Sequence, residues 1–235
     1  MLYRQVRHMS IRVKSKWRGA AFDALAGIVV VVLLALPTSP VRVRVEEWRK
    51  ERGRAAKIAA MWGDLTSSGG RLDDGADRVV LVEFMDYQCP SCRQASEMLE
   101  VLVGQNPDVG VVVRQLPLTQ IHPMAEAAGK AAICAEEQGR FAEMHERLFD
   151  VARSAVNPEW GAVAAEVEIR DVSAFEDCLR SETTAARLAA DKRLADELGV
   201  VGTPTFIHRR GLLRGANMEE LKKTLESVKV LRGVR

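Results

Sequence analysis

Two short runs of the chain are apolar almost without interruption. "VVLVEFM" (79–85) and "VGVVVRQLPL" (109–118) are valine-rich and of strand length, the pattern of strands covered on both faces. Between them "RQASEMLEVLV" (93–103) places Met98, Leu99, Leu102 and Val103 at helical spacing. Strand, helix and strand in that order predict a right-handed crossover in one sheet. From 123 to 199 the period turns helical. "HPMAEAAGKAAICAEEQGRFAEMHERLF" is followed by "DVSAFEDCLRS", with Asp171 as N-cap, and "TTAARLAADKRLADELG", with Gly199 as C-cap. "TPTFI" and "LLRG" predict a hairpin turning at 209–211, and a last amphipathic helix runs over 218–228. The predicted class is α/β: βαβ, a helical insertion at about 120–199, then ββα, with no internal repeat.

The first 77 residues read differently. "AAFDALAGIVVVVLLALP" (20–37) is apolar apart from Asp23, and it follows Arg4, Arg7, Arg12, Lys14, Lys16 and Arg18 with no acid among them. That is a basic region followed by the apolar core of an export signal. Its uncharged stretch, 24–36, has 13 residues, but counted from Trp17 the run reaches 20, the length a spanning helix needs. "LPTSP" puts prolines where a signal peptidase wants a small residue. An uncleaved signal anchor is therefore favoured over a cleaved signal peptide, although Arg42, Arg44, Arg49 and Lys50 beyond the span weaken the charge asymmetry that would orient it. Residues 38–77 show no sustained apolar period and include "TSSGGRLDDGAD", which predicts a tether, partly helical over 46–62. The chain then divides into a basic cytoplasmic tail (1–19), a transmembrane signal anchor (20–37), the tether (38–77) and a folded domain (78–235).

Composition supports a globular core, with 47% apolar residues and 5% aromatics. The formal net charge of +2 conceals a split: residues 1–57 hold 13 Lys and Arg against 4 Asp and Glu, and the remaining 178 hold 21 against 28. An acidic folded part repels phosphates, so a basic nucleic-acid-binding domain is excluded.

The candidate chemistry lies in "DYQCPSC" (86–92), where a buried strand gives way to a helix. A C-x-x-C pair alone can be half a metal site, a fixed crosslink or a bond that opens and closes. Cys89 falls at the N-terminus of the helix, where free amides and the helix dipole favour an anion, so its thiol should be unusually acidic and nucleophilic. Pro90 in the first turn forfeits only a donor that would lack a partner, and Ser91 adds no charge. Cys92, three residues on, lies beneath that turn, within bonding reach and shielded. Strand alternation turns Glu83 to one face of a buried strand, where its pKa would rise and it could exchange a proton with Cys92; a carboxylate solvated at a strand edge is the other reading. Asp86 and Tyr87 read as turn residues, and His122 as a capping or packing histidine.

"VEFMDYQCPSC", "IHPMAEAAGKAAICAEEQGRFAEMHERLF" and "ELGVVGTPTFI" together resemble the DsbA-like thiol:disulfide oxidoreductases, thioredoxin-fold proteins with an inserted helical domain, over about residues 78–229. The resemblance implies a cis bond between Thr203 and Pro204, a loop facing the cysteines, and backbone hydrogen bonds from Thr203 to an extended substrate strand. It matches Glu83 to an acid beneath the active site. It implies no cofactor beyond the redox-active cysteine pair. Reduced exported proteins become the substrates, and a quinone-linked membrane oxidase becomes the electron acceptor. In an exported protein, four cysteines also suggest that Cys134 and Cys178 form a second, structural disulfide; two buried free thiols and a zinc site made of all four are the alternatives. Ser91 stands where the most oxidising members carry histidine, which implies a weaker oxidant. The expected function is thus an extracytoplasmic oxidase, with a reductase or isomerase of the same fold, or a redox-inert module binding peptides or a metal ion, as alternatives.

Overall fold

A computed structural model describes residues 25, 27–29, 39–72, 79–154 and 157–232. The chain forms two compact units, Met1–Arg52 and Gly53–Arg235. In the first, Val41, Val43 and Trp48 on helix α1 (Pro40–Ala60) are exposed, and the Arg52 guanidinium lies 4.7 Å over the Trp48 ring. The expected anchor, 20–37, lies outside the described residues except for 25 and 27–29. Among the described residues no helix is long and apolar enough to cross a membrane.

The second unit is built on a sheet whose two central strands are the two valine-rich runs. β2 (Val79–Met85) and β3 (Val109–Gln115) pair in parallel, joined by α3 (Pro90–Gln105). β4 (Thr205–His208) runs antiparallel to β2 and turns into β5 (Gly211–Arg214), the hairpin that the sequence suggests. With β1 (Gly70–Arg71) antiparallel to β3, the order is β1-β3-β2-β4-β5. α4 (Ala125–Glu137), α5 (Phe141–Ser154), α6 (Trp160–Glu166), α7 (Val172–Arg180) and α8 (Glu182–Leu198) intervene between β3 and β4, and α9 (Met218–Arg232) follows β5, running beyond the expected end at 228. Asp171 caps α7, its carboxylate accepting from Ala174 N at 2.9 Å. Gly199 ends α8 at φ 67°, a left-handed conformation that favours glycine. This is a thioredoxin-like α/β arrangement with inserted helices.

Alternation along β2 sorts the core. Leu81 and Met85 join α3 and the inserted helices on one face, with Cys89 and Cys92; Val82 and Phe84 join Leu198, Val200 and Ile207 on the other. That second face is completed by residues that the sequence assigns to a tether. Ile58 of α1 and Trp62 and Leu65 of α2 (Trp62–Ser67) are buried there. Three side chains and a two-residue strand are too little to impose a local period, so packing, not pattern, brings 58–71 into the fold. β1 depends on a glycine: a Cβ on Gly70 would collide with the Phe141 ring.

Arg114 of β3 fastens this segment. Its guanidinium is buried, donates at 2.8 Å to both Asp191 of α8 and Ser68 Oγ, at 3.2 Å to Leu65 O, and also to Asp64 O. Asp191 in turn accepts from Gln115 N at 2.9 Å.

Candidate active site

The site begins where β2 ends. Asp86 is buried and organises the turn: one carboxylate oxygen accepts from Gln88 N at 2.8 Å, and the other accepts from Leu118 N and meets His122 Nδ1, both at 2.8 Å. Gln88 ties the same turn to the insertion, donating to Ala152 O at 2.9 Å and accepting from Met124 N at 2.6 Å. The loop entering the cysteines is therefore held from two sides.

Cys89 is the N-cap residue of α3, with φ −74° and ψ 119°, and Pro90 follows in the first turn. Cys92 N and Arg93 N donate to the Cys89 carbonyl. The two cysteines are not bonded to each other. Cys89 keeps 9% exposure and Cys92 has none. Across from them the Thr203–Pro204 bond is cis, and Thr203 O lies 3.5 Å from Cys89 Sγ. The Thr203 hydroxyl is buried without a partner.

The acidities of the two sulfurs are driven apart. Cys89 is lowered to about 5: the Cys92 thiol donating to it is the largest cause, burial opposes, and the backbone amides of Cys92 and Ser91 add further stabilisation. The helix end, expected from the sequence to be the main source, thus comes behind a neighbouring proton. Cys92 can supply that proton because its own pKa is pushed up, first by burial, then by the hydrogen bond to Cys89 and the charge of Glu83. Glu83 sits mid-strand, paired with Val113 and Phe206, 1% exposed, with neither carboxyl oxygen hydrogen-bonded. Burial, and then the charge on Cys89, raise it to about 8, so it holds its proton at neutral pH.

Cys134 and Cys178 lie elsewhere, joining α4 to α7 through an S–S bond of 1.96 Å with Cα atoms 5.8 Å apart. The Thr184 hydroxyl sits 3.2 Å from the Cys178 sulfur. Because these two sulfurs bond each other, the four cysteines do not converge, and among the described residues no cluster of three or more His, Cys, Asp or Glu is placed to hold a metal ion.

One residue that sequence reasoning passes over stands close by. His145 of α5 is buried, with Nδ1 3.0 Å from Tyr87 OH and Nε2 3.1 Å from Ser96 Oγ. Burial lowers its pKa to about 4, so the ring is neutral. Its only signal in the sequence is its place in the apolar stripe of Phe141, Leu148 and Phe149.

The thioredoxin family model matches residues 74–227. The chain is 39% identical over 128 residues to the Na+/H+ antiporter NhaA 3 of Salinispora tropica, which covers 54% of this chain and 20% of that protein. It is 26% identical over 161 residues to disulfide bond formation protein D of Bacillus subtilis, covering 63% of this chain and 71% of that one. A thioredoxin-like oxidoreductase of known structure from Silicibacter pomeroyi DSS-3 superimposes with a TM-score of 0.61 at 26% identity, over 71% of this chain and 96% of the other. The chain spans about a fifth of the length of the antiporter that it matches.

Proposed function

The chain belongs to the thioredoxin family, and from that premise we propose that it is a thiol:disulfide oxidoreductase that exchanges a Cys89–Cys92 disulfide with thiols of exported proteins, chiefly as an oxidase. One observation carries the reading: two sulfurs in a single helical turn have opposite acidities, Cys89 ionised at neutral pH and Cys92 protonated and buried. A binding module has no use for that difference; exchange chemistry does.

In the oxidising direction a substrate thiolate attacks Cys89 Sγ. The Cys89–Cys92 bond breaks, a mixed disulfide forms at Cys89, and Cys92 leaves as a thiolate that takes the proton of Glu83. A second substrate thiolate then attacks the substrate sulfur of the mixed disulfide. Cys89 departs as the stabilised anion, the substrate gains a disulfide, and the protein keeps the two electrons in its reduced pair. Pro90 shapes the first turn, and Ser91 adds no cation to stabilise the thiolate further, which favours a moderate oxidant; the same feature supports a reductase or isomerase as the second reading. The backbone of Thr203, beside Cys89 and before Pro204, is the element along which an extended substrate strand would lie.

A bonded Cys134–Cys178 pair belongs in an oxidising compartment, which supports placing the domain outside the membrane with 20–37 as its anchor and 1–19 on the cytoplasmic side. Regeneration then falls to a membrane oxidase linked to quinone. The test mixes oxidised protein with a reduced, unfolded substrate and follows disulfide formation, with Cys89→Ser as control. Acceleration that vanishes in the variant supports the reading. No acceleration, together with a Cys89 that titrates like a free thiol, overturns it.

A further inference from the structure

The two cysteines occupy a short loop and one helical turn whose two ends meet the same imidazole. Tyr87 lies two residues before Cys89, and Ser96 lies one helical turn after Cys92. His145, on an inserted helix, touches both: Nδ1 is 3.0 Å from the Tyr87 hydroxyl and Nε2 is 3.1 Å from Ser96 Oγ. The ring is packed by Phe141, Phe149 and Tyr87, with centroids 5.4, 5.2 and 5.5 Å away. Its orientation is thereby fixed.

We propose that His145 is a positioning residue for the exchange reaction, a bridge that closes the segment from Tyr87 to Ser96 into a ring and so holds the Cys92 thiol against Cys89. The inference rests on the exchange reading above. Hydrogen bonds run one way through the bridge. A neutral ring carries one proton, so one nitrogen donates and the other accepts: the Tyr87 hydroxyl donates to Nδ1 while Nε2 donates to Ser96 Oγ, or the Ser96 hydroxyl donates to Nε2 while Nδ1 donates to Tyr87. Both ring nitrogens have a hydroxyl partner in either tautomer, so the two arms form together. The Cys92 proton is the largest stabiliser of the Cys89 anion, and Cys92 sits in the turn that Ser96 anchors. Without the bridge the first turn of α3 is free to shift, and a thiol–thiolate contact is short-ranged. The reduced form then loses stabilisation and the protein becomes a weaker oxidant.

His145→Phe keeps the ring and removes both nitrogens. It is expected to weaken the acidity of Cys89 by about tenfold, read by ultraviolet thiolate absorbance against pH, and to lower the equilibrium constant for reduction by glutathione by about tenfold. Tyr87→Phe and Ser96→Ala each cut one arm and should shift both quantities in the same direction. Ser96→Ala is the sharper case, since alanine is the better helix former and a purely structural role predicts equal or higher stability with unchanged redox constants. These two variants decide the matter if His145→Phe does not fold. Both quantities staying within about twofold of wild type in every folded variant overturns the bridge. A wild-type Cys89 that titrates at the ordinary value of 9.0 overturns the exchange reading instead, so the two failures are distinguishable.

Discussion

Glu83 of β2 and Cys92 of α3 are both buried, the acid 1% exposed and the thiol not at all; burial is the first reason each resists ionisation, with the Cys89 charge next for Glu83, and the hydrogen bond to Cys89 and then the Glu83 charge next for Cys92. An acid raised from 4.5 to about 8 keeps its proton in the folded chain while the unfolded chain has lost it. Across that window the folded state binds more protons, so stability falls as pH rises and is highest below 4.5. Glu83→Gln removes the effect. At pH 7 the variant should be more stable by about 3 kcal/mol in urea denaturation, with the gain growing from pH 5 to pH 8. It should also slow formation of the mixed disulfide from the oxidised protein by about tenfold or more, since the departing Cys92 thiolate then has no carboxyl proton to take. A stability gain that does not change with pH would refute the buried-acid account.

Cys89 works in the opposite sense. Lowered from 9.0 to about 5, it is ionised in the folded reduced protein while an unfolded chain still holds its proton. The unfolded state binds more protons between those values, so this contribution to the reduced form's stability rises with pH from 5 to 9 and is lost as pH falls through 5. Against Cys89→Ser, the reduced wild type should gain stability over that range, and its alkylation rate should reach half-maximum near pH 5. An alkylation midpoint near 9 would show an ordinary thiol.

The parts of this site legible in the sequence are those written locally. The valine runs of β2 and β3 need no distant partner to be recognised, and Cys89, Pro90, Ser91 and Cys92 carry their spacing with them. Glu83 follows from alternation along a strand. What escaped depends on residues far apart in the chain. Ile58, Trp62 and Leu65 become core only because the second face of the sheet is open to them. Arg114 reads as a lone charge in a valine run until Asp191, 77 positions on, is seen beside it. His145 looks like any core histidine until Tyr87 and Ser96 are found on its two nitrogens. The ranking of Cys92 above the helix amides depends on burial, which spacing does not encode.

The Cys134–Cys178 bond closes a loop of 44 positions between α4 and α7, elements other than the helix that carries the exchanging pair. Its worth by chain entropy is about 4 kcal/mol. Replacing both cysteines with alanine should lower stability by that order in denaturant, and should leave the Cys89 thiolate titration where it was. A shift in that titration would mean that the second bond acts on the active site and is more than a crosslink within the insertion.

Arg114 and Asp191 test how firmly 58–71 is held. The guanidinium donates to the carbonyls of Asp64 and Leu65 and the Ser68 hydroxyl as well as to Asp191, the bonds to Leu65 and Asp191 buried and those to Asp64 and Ser68 part-buried. Arg114→Met strands a carboxylate whose pKa is already raised by burial and takes a donor from each of the Asp64 and Leu65 carbonyls. A loss of about 3–5 kcal/mol is expected. The double variant Arg114→Met with Asp191→Leu removes the stranded charge and should recover part of that loss, because replacing a buried pair by apolar groups costs less than breaking it. Hydrogen exchange then separates two outcomes. Faster exchange over 58–71 in Arg114→Met, greater than in α3, is expected if the guanidinium is the clamp; uniform acceleration across the domain would mean that Arg114 supports the whole fold and not this segment in particular.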